Sequence, residues 1–395
     1  MSETKSLSRR TFLRLAALGG AGAALAACGP AATQPAGEGE PKTGAPASEK
    51  ITLRMWSHQN PSFVSANEQI LAKYIEQNPN VEIKYENFPY ADFITNIQTS
   101  MAAKNEADIM EMFGSWVQTY ARGGTLAPVN EMVLNMTKAR ELFYPAPLDG
   151  YVWEGKLYGM PNEYNLECGA VLTNKRMFEE AGINFPPTWG SWDDLVAHAK
   201  LMTKVENGVM TVAGYHFVNG DGIGFLFWEG ILEKGGEYFA DDGVHLDFLT
   251  PQAKETVQWM YDMANVDKVV DPMTFNPNSN WVGESFFQGL VAIGFIGPWI
   301  VPEGRRNYPD FADPWDYVST PHFGDQYNFA ADSGWGKVVS PNSKFVDEAW
   351  KVAAFATMDQ ANARQWNVLT GTVPALIPVA EDPTLLEEIN WLGPS

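Results

Sequence analysis

The residue types that do chemistry are unevenly supplied in this chain. Its five histidines (58, 198, 216, 245 and 322) lie far apart, and none joins a cysteine or a second histidine at metal-ligand spacing. There is no Gly-x-Ser-x-Gly elbow and no phosphate-cradling Gly-x4-Gly-Lys-Ser/Thr, and the stretch GDGIG at 220–224 is too weak a fingerprint for a nucleotide. A glycoside hydrolase needs only two carboxylates at a suitable separation, so 48 Asp and Glu leave that chemistry open. The abundant resource is aromatic: 14 Trp, 14 Tyr and 22 Phe, several in Gly- or Pro-flanked loops. A flat ring fits the C–H-rich face of a pyranose, and nearby Asp, Glu, Asn and Gln exchange hydrogen bonds with its hydroxyls. The mixture suits a neutral polyhydroxylated ligand, although any one tryptophan could equally fill a core.

Something must position those rings, and the opening segments alternate in type. Strands are expected at 51–56 (ITLRMW), 81–86 (VEIKYE) and 108–113 (DIMEMF), with helices at 66–77 and 92–103 between them. Ser65 and Glu68 read as a capping box for the first helix, while Phe93, Ile94, Ile97 and Met101 form one apolar face of the second. Later helices are expected over 174–183, from Ser191 with Asp194, and from Thr250-Pro251, the last burying Ala253, Val257, Met260, Tyr261 and Ala264. Alternation of this kind implies right-handed crossovers and a mostly parallel sheet, with ligands beyond the carboxyl ends of its strands. That rule points to Trp56, Ser57, His58, Gln59 and Asn60 after the first strand, and to Gly114, Ser115 and Trp116 after the third.

The ends bear on location. Ser8-Arg9-Arg10-Thr11-Phe12-Leu13 has the twin-arginine export pattern, and the apolar run from Leu15 to Ala27 is too short to span a bilayer. Leu25-Ala26-Ala27-Cys28 looks like a bacterial lipobox, so residues 1–27 are expected to be a signal peptide and Cys28 a lipidated new N-terminus. Residues 28–50 are rich in Gly, Ala, Pro, Glu, Ser and Thr and read as a flexible tether. Cys168 is then the one remaining thiol, expected to be a small buried hydrophobe. The formal charge is −21; without residues 1–27, which carry Glu3 against Lys5, Arg9, Arg10 and Arg14, it is −24. Such a surface repels nucleic acid.

Three segments carry a family resemblance. YGMPNEYNLECGAVLTNKRMFEEAGINFPPTWGSWDDLVAHAKLMTK (158–204), FFQGLVAIGFIGPW (286–299) and WGKVVSPNSKFVDEAWKVAAFAT (335–357) are similar to stretches of the family 1 extracellular solute-binding proteins of ABC importers, the group that contains maltose-binding protein. The similarity spreads over most of 51–380. Thr173 stands where Tyr is usual and Ile293 where Met is common. The chain is expected to end some tens of residues before its relatives, without the last helices of the second lobe.

The resemblance implies an α/β, two-lobed periplasmic-binding-protein fold of type II, each lobe a mostly parallel sheet flanked by helices, with hinge strands between. Lobe 1 would comprise 51–163 plus 335–380, and lobe 2 would comprise 164–334 plus 381–395. The ligand would lie in the cleft, and an ABC permease would receive it. The protein would be a lipid-anchored, extracytoplasmic, monomeric binding protein without metal or cofactor, and not an enzyme. A glycerophosphodiester or polyamine cargo is the alternative, with a surface glycoside hydrolase behind it. A phosphate cargo would want Arg or Lys in the cleft loops, which are short of both.

By the same resemblance Glu167 takes the place of a sugar-binding glutamate and Trp299 that of the stacking tryptophan in Gly-Pro-Trp. Phe225 is similar to a stacking tyrosine, with Trp228 its neighbour. Gln59, Asn60 and His58 fall at polar contacts after the first strand, and Ser115 and Trp116 match both the family pattern and the strand-end rule. Glu163 and Asp332 are expected near the cleft by neighbourhood, and Trp335 at the re-entry to the first lobe.

Overall fold

The computed structural model describes residues 50–389, except 168, 218–221, 243–244, 276–281 and 325–330. For 274, 275, 331 and 332 the backbone alone is described. The export pattern, Cys28, the tether and Cys168 therefore lie outside the described residues.

Two five-stranded sheets each carry a separate buried core. The first runs, edge to edge, Val81–Phe88, Ile51–His58, Ile109–Phe113, Trp335–Val339, Met160–Pro161. The second runs Trp315–Ser319, Ala170–Asn174, Val291–Gly294, Val209–His216, Lys204–Glu206. The expectation of mostly parallel sheets needs correction. In the first sheet Ile51–His58 is parallel to both neighbours, but Trp335–Val339 runs against its own. In the second, the pairing of Val209–His216 with Val291–Gly294 is parallel and the other three are antiparallel.

Apart from the local hairpin of Lys204–Glu206 with Val209–His216, the reason is the junction between the cores. Glu163–Leu166 crosses there, paired antiparallel with Ala331–Asp332 on one side and Val373–Pro374 on the other. The strand after each crossing enters its sheet from the junction, against strands that end there. Trp335 thus begins its strand opposite Phe113, the last residue of another.

Local chemistry explains where the helices begin. The first starts five residues earlier than expected, as Pro61–Gln77, because Asn60-Pro61 is the stronger start signal: Pro61 sits at the first turn, and Asn60 Oδ1 accepts from the N–H groups of Ser62 at 2.9 Å and Phe63 at 3.4 Å. Ser65 and Glu68 lie inside that helix, so the capping box is not used. The Tyr90–Ala103 helix buries Phe93, Ile97 and Met101 as expected. Asn174 caps a shorter helix, Lys175–Glu180, and Ser191 caps Trp192–Met202 through the Asp194 N–H. Thr250 caps Pro251–Asn265, but Val257 and Tyr261 are 54% and 57% exposed there. The buried line runs instead through Ala253, Thr256, Met263 and Ala264, because Thr256 packs against Gly230, where a Cβ would meet the Thr256 methyl at 2.5 Å.

The first core extends from Leu53 and Met55 to Trp350 and Trp366, and the second gathers Phe178, Trp192, Tyr215, Phe286 and Ile293. Leu385 and Ile389, expected in the second lobe, are buried in the first core, and Arg364 holds that segment through Asp382 and Glu388.

Glu163 opens the crossing strand with a side chain that the structure turns into the first core. It is 1% exposed, Oε1 accepts from the Trp335 backbone N–H at 3.3 Å, and Oε2 accepts from Trp366 Nε1 at 3.0 Å. The approach is close: Gly334 has φ +74°, and a Cβ on it would lie 2.6 Å from the Glu163 carbonyl oxygen. Burial pushes the Glu163 carboxyl up to about 8, against the hydrogen bonds from Trp366 and Trp335. The folded protein therefore holds this proton more tightly than the unfolded chain. The associated stability is complete below the ordinary value of 4.5 and is lost as pH rises through 8. Glu163→Gln removes that titration. In urea unfolding, wild type should lose stability relative to the variant between those pH values, by up to about 1.4 kcal/mol per pH unit; a pH-independent difference would contradict it.

Candidate functional site

Three strand ends bring rings together at the junction edge of the first sheet. Trp335 stacks on Phe113 (centroids 4.0 Å apart, 28° between planes) and, on its other face, on His58 (4.2 Å, 9°). Trp116, from the first turn of the Gly114–Arg122 helix, meets Trp335 edge-on at 5.6 Å, and Tyr90 does so at 6.3 Å. Such edge and offset contacts contribute ~0.5–1.5 kcal/mol each beyond the area they bury. Ser115 and Gln59 are exposed beside them in the chain.

Behind the rings is a buried polar group of residues. Glu111 Oε1 accepts from Lys337 Nζ at 2.6 Å and from Asn67 Nδ2 at 2.8 Å, while His58 Nδ1 lies 3.1 Å from Glu111 Oε2. Burial alone would raise this carboxyl, but the Lys337 ammonium and His58 outweigh it and hold it down at about 2. A carboxylate can only accept, so His58 Nδ1 carries the proton in that contact.

On the second lobe, Trp299 follows the strand Val291–Gly294 and precedes the helix Ile300–Asn307. Its indole N–H donates to Glu167 Oε1 at 2.9 Å, and the Gly297 N–H donates to Glu167 Oε2 at 3.3 Å. Gly297 cannot be replaced without movement: a Cβ there would lie 2.3 Å from the Leu166 carbonyl oxygen and 2.8 Å from the Trp299 ring. Tyr317, which donates to the Gly297 carbonyl at 2.9 Å, is pushed well above its usual range by burial and by the Glu167 charge. Among the described residues, Trp299 is the only partly buried apolar side chain that packs against both cores.

The lobes also touch directly. Asn60 Nδ2 donates to Glu303 Oε2 at 2.9 Å, and Arg306 donates to the Pro61 carbonyl at 2.8 Å. Burial first, and then the neighbouring Glu284, raise the Glu303 carboxyl.

Of the residues expected at the ligand, the structure brings His58, Trp116 and Trp335 into one ring cluster, and joins Trp299 to Glu167 by a hydrogen bond. The other expected residues have partners of their own. Trp56 is 7% exposed, donates to Glu86 at 2.6 Å and is covered by Phe88 and Arg54, because the strand runs on to His58 and leaves it mid-strand. Glu163 is enclosed as described above. Asn60 is occupied by its helix cap and by Glu303. Phe225 and Trp228 lie on the helix Ile223–Glu233 and meet edge to face at 5.5 Å, with Phe225 packed on the second core. The Asp332 backbone pairs with Asn165; its side chain lies outside the described residues.

Phe113, Glu111, Lys337 and Glu303 escaped the sequence reading. Phe113 ends the third strand, so the strand-end rule could have named it. Lys337 stands on the inward side of the strand, between Trp335 and Val339, which is a legible anomaly. Glu303 follows Trp299 by one helical turn. Nothing local marks Glu111 as the partner of Lys337, 226 residues away.

Among the described residues no group of three or more His, Cys, Asp and Glu is placed to hold a metal, and no helix is long and apolar enough to cross a membrane. The arrangement offers stacking faces and hydrogen-bonding groups between two bodies joined by a strand crossing.

Comparison with known proteins accords with this architecture. The model of the family described as bacterial extracellular solute-binding protein matches residues 60–363. An arabinooligosaccharide-binding protein of Halalkalibacterium halodurans is 24% identical over 337 residues, covering 82% of this chain and 71% of the relative. A multiple sugar-binding protein of Streptococcus mutans is 21% identical, covering 85% and 77%. Among solved structures, an ABC transporter solute-binding protein of Thermotoga lettingae bound with α-D-tagatose superposes with a TM-score of 0.75 at 22% identity, covering 86% of each chain. The two-lobed fold is shared, these relatives and neighbours are binding proteins, and the matched residues take in much of both cores and the crossing strand Glu163–Leu166: the chain belongs to the bacterial extracellular solute-binding protein family.

Proposed function

We propose that this protein captures a sugar between its two lobes outside the cytoplasm and delivers it to the transmembrane subunits of an ABC permease. The observation that carries this is Trp299, a tryptophan held by Glu167 and Gly297 which, alone among the partly buried rings of the described residues, meets both cores. A ring there, partly buried against both cores, offers an apolar face to a pyranose or furanose. The names of relatives support the ligand class: arabinooligosaccharide and multiple sugars for two of them, tagatose and cycloalternan for two solved neighbours.

The lobes need a reason to close, and ligand contacts made only in the closed form supply one. Asn60 to Glu303 and Arg306 to Pro61 join the two sides and add to that state. Anchoring through lipidated Cys28, the long tether and a monomeric state complete the proposal, resting on the sequence signals. A catalytic role is disfavoured because, among the described residues, the carboxyl groups of Glu163 and Glu167 at the junction are already taken up by indole and backbone N–H groups. A phosphodiester is disfavoured because Lys337, buried behind the rings, is paired with Glu111.

A melting-shift screen with arabino-, malto- and manno-oligosaccharides and with tagatose tests the ligand class. A saccharide at 100 times its dissociation constant should stabilise the fold by about 2.7 kcal/mol; no shift with any of them would sink the proposal. Trp299→Ala should weaken binding by roughly 2 kcal/mol, some thirtyfold, in calorimetric titration. Arg306→Ala should reduce affinity with little change in melting temperature. Asn60→Ala should reduce both, since it also removes a helix cap, a loss of ~1 kcal/mol.

A further inference from the structure

Behind the His58–Trp335 stack the contacts close into a ring. His58 bonds Glu111, and Glu111 bonds Lys337. The Lys337 ammonium lies 4.4 Å from the centre of the Trp366 ring, and the Trp366 indole N–H donates to Glu163. Glu163 accepts from the Trp335 backbone N–H, and Trp335 stacks on His58. The members come from the first and third strands, the re-entry strand, the crossing strand and the helix Gln360–Thr370.

We propose that Glu111, neutralised by Lys337, is a positioning residue for ligand binding: it fixes the plane of the His58 ring and, through the stack, the setting of the buried Trp335 against which the more exposed Trp116 and Tyr90 pack. This rests on the reading that the ligand binds at these rings.

Stability alone does not account for the Glu111–Lys337 pair. Both side chains are buried, at 0% and 2% exposure, and apolar replacement of such a pair is often neutral or stabilising. The pair does something an apolar pair cannot. An imidazole is free to turn about its terminal torsion unless one nitrogen is bonded, and Glu111 Oε2 supplies that bond while Lys337 and Asn67 occupy Oε1. The 9° angle between the His58 and Trp335 planes follows from His58 being held on one side and Trp335 at its backbone by Glu163 on the other.

The test compares three variants with wild type: E111L/K337M, which removes both charges and the acceptor; E111Q/K337M, which removes the charges but keeps an oxygen for His58; and H58L, which leaves the buried pair in place. Two measurements are made on each. One is the fluorine NMR line of Trp335 in fluorotryptophan-labelled, sugar-free protein, assigned by its loss in Trp335→Phe. The other is affinity for whichever of arabinotriose, maltotriose, mannobiose and tagatose shifts the wild-type melting temperature most.

E111L/K337M and H58L should both shift the Trp335 line and weaken binding by about tenfold or more, while E111Q/K337M should return both toward wild type. If wild type binds a sugar and H58L or E111L/K337M keeps both the line and the affinity, the positioning role is wrong and the sugar reading stands. If wild type binds none of the sugars, that reading fails, and the Trp335 line still decides whether Glu111 sets the stack. Should E111L/K337M not fold, H58L decides by the same two measurements, since it leaves no buried charge unpaired.

Discussion

The antiparallel pairing of Glu163–Leu166 with Ala331–Asp332 constrains everything else in the molecule. It carries the chain from one core to the other and back at a single place, so each sheet must receive a strand from that side. Strands that finish at the junction and strands that start there then lie next to one another. Phe113 and Trp335 become neighbours for that reason, although 222 residues separate them in sequence. The same pairing leaves Leu166 close enough to Gly297 that only a glycine fits, which sets where Trp299 can stand. The ring cluster of the first lobe and the single Trp299 beside the second both follow from one crossing.

Charge is handled differently on the two sides. In the first lobe two carboxylates lie close together in the core, and their fates diverge. Glu111 has an ammonium and an imidazole within hydrogen-bonding distance and stays ionised. Glu163 has only neutral donors and is pushed up to about 8. The difference is one of partners rather than of burial, since both are almost wholly enclosed. In the second lobe Glu167 keeps its indole and amide donors and serves to aim Trp299. Among the described residues, Glu163 and Glu167 at the junction thus both serve as supports for tryptophans, through Trp366, Trp335 and Trp299.

The legible part of the fold was local. Apolar spacing predicted the helices, although the first begins at Asn60-Pro61 and not at the capping box downstream, since a cap needs its backbone in an extended conformation and Ser65 is already helical. Spacing also misjudged the buried line of Pro251–Asn265 by one residue, because the deciding partner, Gly230, belongs to another helix. The alternation of strands and helices indicated parallel sheets but carried no trace of the crossing that reverses some strands.

Sequence by itself determined the class of structure, the family to which the chain is similar and the supply of aromatic and acidic side chains, because these depend on composition, short-range periodicity and contiguous motifs. Tertiary structure decided which rings meet. Trp56 and His58 lie two residues apart on one strand, yet the first is covered by Phe88 and Arg54 and the second stacks on Trp335. Lys337 finds its counter-charge 226 residues away. A strand pattern states which residues share a face, but what covers that face is set by elements brought up from distant parts of the chain, and that information is not local.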